Sequence, residues 1–367
     1  MSSRGRVEGL DVLRGVAVGL VLLRHAWPDL FPGAGIVGVT IFFTLSGYLI
    51  TGIIRREVEQ TGGFSYRRFY RNRALRLLPA LVAVLAVFAV VELATNLAGQ
   101  AQRVWSTIAI GLLYLADVPR LPIADNMSHL WTLAVEEQFY LVWPTALLLA
   151  IRRGRVRRLL IWGGSLWLVS CLALLAVVPE GPLHLYQLPT TWVITMLAGA
   201  ALNLYRDRLP AAGPWAATAA GLALGGMCFL PEAKEQAATY LVGAPLTGLA
   251  SAVLISFAIR RAAVSGGLVP LRWLGLISYA AYLWNFPVLS WLVASMDNDP
   301  WAALLSLPAT VAMATLSWFA IERPALAWKR RLDHRHQHTA LVGRSAAVDG
   351  PPVPSSEHEP RLGLPAG

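Results

Sequence analysis

An arginine and a histidine bracket the apolar stretch RGVAVGLVLLRH at residues 14–25. An ionisable group at membrane depth costs roughly 3 kcal/mol on insertion scales, so a helix that carries two of them has a use for them. Eleven helical steps of about 100° bring Arg14 and His25 to within about 20° of each other around the axis, with ~16 Å of rise between them. They share one face at two depths. Histidine is the side chain that exchanges a proton near neutral pH, which makes His25 the candidate base. The competing roles are a snorkelling anchor for Arg14 and an interfacial residue beside Trp27 for His25. Asp11, three residues before Arg14, is placed to be its ion-pair partner.

Two further stretches carry chemistry. In SHLWTLAVEEQFYLVWP, residues 128–144, Glu136 and Glu137 lie about two turns into an apolar run. Adjacent helical residues point in different directions, so one of the two is expected to line any given cavity. Its role is to orient and charge a histidine, or else to hold a basic residue of another helix. His129, two turns before Glu136, is a second candidate imidazole. In FSYRRFYRNRALRLLPA, residues 64–80, arginines that include Arg68, Arg71, Arg73 and Arg76 alternate with Tyr66, Phe69 and Tyr70. That pattern suits a ligand bearing several phosphates and a flat base, and it also suits a loop lying on anionic lipid. The chain has no GxxxxGK[ST] and no GxGxxG, so a nucleotide here would have to be held by arginines. No metal site is expected: Cys171 and Cys228 fall inside apolar runs, and HRHQH at 334–338 reads as solvated tail.

The elements that position these residues follow from composition. Of 367 residues, 56% are hydrophobic and 14% charged, outside the range of soluble domains. The net charge of +10 sits in short clusters between apolar runs rather than in one stripe, which argues against nucleic acid as a partner. Candidate runs occupy 10–27, 35–54, 77–98, 104–118, 129–150, 159–178, 190–205, 214–230, 239–259, 273–295 and 301–321. Arginine-rich loops at 55–76 and 152–158 are cytoplasmic by the positive-inside rule. Three runs lie between them, yet a return to the same side needs an even number of crossings. The short run 104–118 is therefore expected to be re-entrant or interfacial.

The expected fold is an all-α membrane protein of about ten transmembrane helices plus that segment, multi-pass in the cytoplasmic membrane with both termini inside. Residues 1–330 form one transmembrane domain and 331–367 a disordered polar tail. Arg4 and Arg6 ahead of an apolar stretch imitate a signal peptide, but Arg14, Arg24 and His25 within it, and the lack of a cleavage site, argue that it is kept as the first span. Gly15 and Gly19 form a small-xxx-small pair suited to close helix packing.

The chain resembles the membrane-bound acyltransferase-3 family, which includes surface-polysaccharide O-acetyltransferases and macrolide acyltransferases. The resemblance is carried by LDVLRG with His25 completing an Arg-x10-His pattern, FFTLSGYLI at 42–50, RNRALRLLP at 71–79, HLWTLAVEEQFYLVWP at 129–144 and SYAAYLWNFPV at 278–288. It implies transfer of an acyl group, acetyl in the first place, from cytoplasmic acyl-CoA to a hydroxyl of a glycan, glycolipid or glycosylated metabolite, with no metal. Membrane lipids surround it and a homodimer is one admissible assembly.

Carried over by position, Arg14 and His25 are the family's signature pair, Glu136 and Glu137 its acidic pair, and Arg71, Arg73 and Arg76 its basic loop. His25 is then the base, with Glu136 or Glu137 holding its tautomer, and Arg68 and Tyr70 join the loop arginines at the CoA phosphates. His129, Trp131, Ser46 and Asn285 are the candidates for contacting substrate, and Ser46, Asn285 or an arginine is the candidate oxyanion donor. At Asn285 the family usually has histidine. Asparagine takes up no proton, so that position is expected to position a ligand or polarise a carbonyl. The rival readings are a macrolide-type acyltransferase and, from another class, a transporter or flippase of glycans or lipids.

Overall fold

A computed structural model describes residues 7–177, 182–261 and 263–328. The expected tail and its HRHQH lie outside the described residues, as do Arg4 and Arg6. Among the described residues there is no strand, and the α-helices run in the order α1 Glu8–Ala26, α2 Ala34–Thr61, α3 Tyr66–Thr95, α4 Val104–Leu112, α5 Trp131–Arg152, α6 Val156–Val177, α7 Pro189–Tyr205, α8 Pro214–Met227, α9 Ala244–Ala258, α10 Val269–Leu276, α11 Ser278–Ser295 and α12 Trp301–Ser317. Among the described residues five helices are long and apolar enough to cross a membrane, or six if α10 and α11 count as one bent span. The chain is a multi-pass membrane protein.

The apolar run 104–118 yields only α4, nine residues followed by a turn in which Tyr114 has a positive φ of 53°. At 1.5 Å per residue that is ~14 Å, about half a bilayer core. The run 273–295 departs from expectation: it is broken at Ile277, and α10 meets α11 at 72°. The α6 window is only 11% buried, and Trp162, Leu166 and Val169 project outward from it as a lipid-facing helix requires.

Two backbone-to-backbone crossings set the frame. A Cβ on Gly15 of α1 would overlap the Leu271 carbonyl of α10, and one on Gly275 would overlap the Asp11 carbonyl. Gly47 of α2 and Gly199 of α7 oppose the Met196 and Thr44 carbonyls in the same way. Gly19 has only Leu274 Cδ2, at 3.9 Å, within reach, so the small-xxx-small pair works through its first member. α2 ends at Gly62, whose φ of 70° reverses the chain. α3 then starts on Ser65, whose Oγ accepts from the Arg68 backbone N–H at 3.3 Å. That turn brings the arginine-rich start of α3 back beside α2.

Candidate active site

α1, α2, α3, α5 and α11 enclose a cavity of about 330 Å³. Glu57 and Arg68 stand at its exposed end, joined at 2.6 Å. Arg14, Ser46, Arg73, Arg76, Glu136 and Glu137 line its middle, and Thr132, Tyr279 and Tyr282 its buried end. Both glutamates line it, where one was expected. The cavity wraps two faces of α5: Glu136 accepts from Ser46 Oγ of α2 at 2.6 Å, and Glu137 accepts from Arg73 Nε and Nη2 of α3 at 3.1 and 2.7 Å. The Arg73 guanidinium also lies 3.4 Å from the centre of the Tyr140 ring. Arg14 Nη1 reaches Asp11 Oδ1 at 3.1 Å, the pairing that their spacing suggested. Arg76 lines the cavity without a hydrogen bond or ion pair among the described residues.

The basic stretch divides by helix face. Arg68, Phe69, Asn72, Arg73 and Arg76 fall on the cavity side of α3 at helical spacing, whereas Arg71 and Tyr70 do not line the cavity. Tyr70 instead donates its hydroxyl to the Tyr140 carbonyl at 3.2 Å, and Arg71 donates to Asn72 Oδ1 at 3.4 Å.

His25 does not line this cavity, and neither glutamate is its partner. Its Nδ1 lies 2.5 Å from Oδ1 of Asn285, a residue with no exposed surface. An amide oxygen at that distance requires the proton on Nδ1 and leaves the Nε2 lone pair free. The orienting group expected from α5 comes from α11 instead. The carboxylates are already occupied by Ser46 and Arg73, whose hydrogen bonds hold them at the cavity wall. Phe286, the next residue of α11, stacks on the imidazole at 4.7 Å between centroids.

The two halves of the site are joined by rings. Tyr282 of the cavity wall lies 5.3 Å from the His129 ring, and His129 lies 5.8 Å from Phe286. Tyr282 donates to the His129 carbonyl and accepts from Thr132 Oγ1, both at 2.7 Å. His129 is thus an internal bridge, 4% exposed. Trp131 is buried and packed between Phe43 and Tyr186. Thr132, Tyr282 and Phe286 were not singled out by sequence: none carries a charge, and Tyr282 and Phe286 entered only as part of SYAAYLWNFPV.

A second cavity of about 600 Å³ shares Arg14 and Leu49 with the first and is lined also by Asp11, Arg56, Arg206, Asp207 and Arg260. By sequence Arg206 and Arg260 read only as markers of topology.

The acyltransferase domain family Acyl_transf_3 matches residues 7–323. The chain is 29% identical over 353 residues to the peptidoglycan O-acetyltransferase OatA of Listeria monocytogenes, covering 88% of this chain and 56% of that one. It is 32% identical over 359 residues to the putative peptidoglycan O-acetyltransferase YrhL of Bacillus subtilis, covering 87% and 54%. A putative O-acetyltransferase of Staphylococcus aureus is 30% identical over 208 residues, 53% of this chain and 34% of that one. The chain thus spans about half the length of the first two relatives. No solved structure matches it.

Proposed function

The chain belongs to the acyltransferase-3 family and is an O-acyltransferase, and on that premise we propose that it moves an acetyl group from acyl-CoA to a hydroxyl of a cell-surface glycan. The observation that carries this reading is the alignment of two half-sites on α1: an arginine-lined cavity at Arg14 and an oriented imidazole at His25. In this reading the bilayer is crossed about ten times, with the arginine-rich loops and both termini in the cytoplasm, and residues 1–330 act as one transmembrane unit.

The donor enters at Arg68. Its phosphates meet the guanidinium groups of Arg68 and Arg76, and the pantetheine arm fills the cavity toward Tyr282. A volume of about 330 Å³ is at the small end of ligand pockets, of the size a slender arm fills. Arg73, Glu137, Ser46 and Glu136 hold one another and so keep the walls in place. For the thioester to meet His25, the ring layer of Tyr282, His129 and Phe286 has to part.

At His25, Nε2 takes the proton of the accepting hydroxyl as its oxygen attacks the thioester carbonyl. Asn285 accepts from Nδ1–H throughout and stabilises the imidazolium that forms. Collapse of the tetrahedral intermediate breaks the carbon–sulfur bond, and the proton passes from Nε2 to the CoA sulfur. The products are the ester and free CoA thiol. The names of the relatives point to peptidoglycan as the acceptor; a glycosylated metabolite uses the same chemistry.

The test is acceptor-dependent thiol release by the purified full chain in lipid nanodiscs, with acetyl-CoA and cell-wall glycan fragments. Equimolar free thiol and O-acetylated fragment are expected. Movement of glycan across vesicles with no thiol release would assign the protein to the carriers instead.

A further inference from the structure

The acceptor's hydroxyl is common to every glycan, but the groups around His25 are not neutral. Two cations stand on the His25 side of the bundle, Arg24 beside it in α1 and Lys234 on the turn that packs against Tyr186. Arg24 precedes His25 in α1; its methylenes approach Gly35 at the start of α2, and its Nε is buried without a hydrogen-bond partner. Lys234 arrives from the turn Ala233–Glu235 between α8 and α9, and its Nζ stands 4.1 Å from the centre of the Tyr186 ring. Tyr186 in turn packs at 4.9 Å on Trp131, close to the His129 bridge.

Neither cation has an anionic partner among the described residues. Glu232 and Glu235 flank Lys234 in sequence yet are exposed and make no ion pair with it. Burial and the nearby Arg24 push the Lys234 pKa down to about 8, which still leaves it mostly protonated at neutral pH. Two partly buried like charges with no counter-charge among the described residues raise the energy of the empty site, and an incoming anion relieves it. A planar guanidinium and a tyrosine-backed ammonium are each donor sets suited to an anionic group.

We propose that Arg24 and Lys234 recognise an anionic group of the acceptor, so that the glycan acetylated at His25 carries a carboxylate or phosphate close to the reacting hydroxyl. This rests on the acyl-transfer reading above. Three acceptor oligosaccharides of equal length, one neutral, one bearing a carboxylate and one a phosphate, are compared with the full chain in nanodiscs and acetyl-CoA. The quantity read is kcat/KM for O-acetylated product by mass spectrometry.

At least one anionic acceptor is expected to exceed the neutral one tenfold or more, and whichever leads identifies the group. Lys234→Gln should bring that ratio to within threefold of one, and Lys234→Arg should keep it. Independently of any variant, raising salt from 50 to 500 mM should lower the ratio in the unaltered protein. A ratio near one, or one that neither salt nor Lys234→Gln changes, overturns the proposal while leaving acyl transfer standing. Absence of product on all three acceptors overturns both.

Discussion

At the scale of residues, the site turns on which atom of His25 carries the proton. The 2.5 Å contact between its Nδ1 and Asn285 Oδ1 places the proton on Nδ1, which leaves Nε2 as the base in the proposed mechanism. Asn285→Ala removes that acceptor and lets the imidazole adopt the other tautomer and turn. The expected result is a kcat about 100-fold lower with the KM for acetyl-CoA unchanged, measured in steady-state assays on purified protein. A variant that loses kcat and CoA affinity together would make Asn285 a structural residue. The costly charges Arg14, His25, Glu136, Glu137, Arg73 and Arg76 were all legible in the sequence, because buried ionisable groups stand out against an apolar background. Apart from Arg14 with Asp11, their pairing was not. Whether a glutamate of α5 or an amide of α11 meets His25 depends on helix rotations that no local pattern encodes. The same holds for Arg71 and Tyr70, which share the basic stretch but face away from the cavity.

At the scale of elements, α1 is held where both half-sites can form by its contact with α10. Gly15 lets the Leu271 carbonyl approach, and Gly275 lets the Asp11 carbonyl approach, so the two backbones touch. Gly15→Ala is expected to cost about 1–3 kcal/mol through forced separation of the helices, seen as a lower thermal midpoint in detergent. Gly19→Ala should leave the midpoint within about 1 °C, since its new Cβ meets only Leu274 Cδ2 at 3.9 Å. Equal losses at the two positions would refute this account of the crossing. The failure of 104–118 to span was legible from its length and from the parity of the loops. The 72° break between α10 and α11 was not, because the apolar run continues unbroken across Ile277.

At the scale of the whole molecule, the donor and acceptor sides have to be opposite sides of the membrane for α1 to serve as the path between them. Cys171 and Cys228 are buried, so an introduced cysteine reports alone. Arg153→Cys, in the exposed turn between α5 and α6, should react with a membrane-impermeant maleimide only after cells are permeabilised. Glu235→Cys, beside Lys234, should react in intact cells. Labelling of both in intact cells would contradict the proposed orientation. The number of crossings is a property of the whole chain, and short helices such as α7 and α8, of 17 and 14 residues, are where composition alone counts it poorly.

In the proposed mechanism His25 is the base that joins a cytoplasmic thioester to an external hydroxyl. The direct measurement is transfer of isotope-labelled acetyl from acetyl-CoA to a cell-wall glycan fragment by purified His25→Ala, alongside the unaltered chain with a matched thermal midpoint. Loss of transfer by a factor of about 100 or more is predicted. Transfer at the unaltered rate would contradict it.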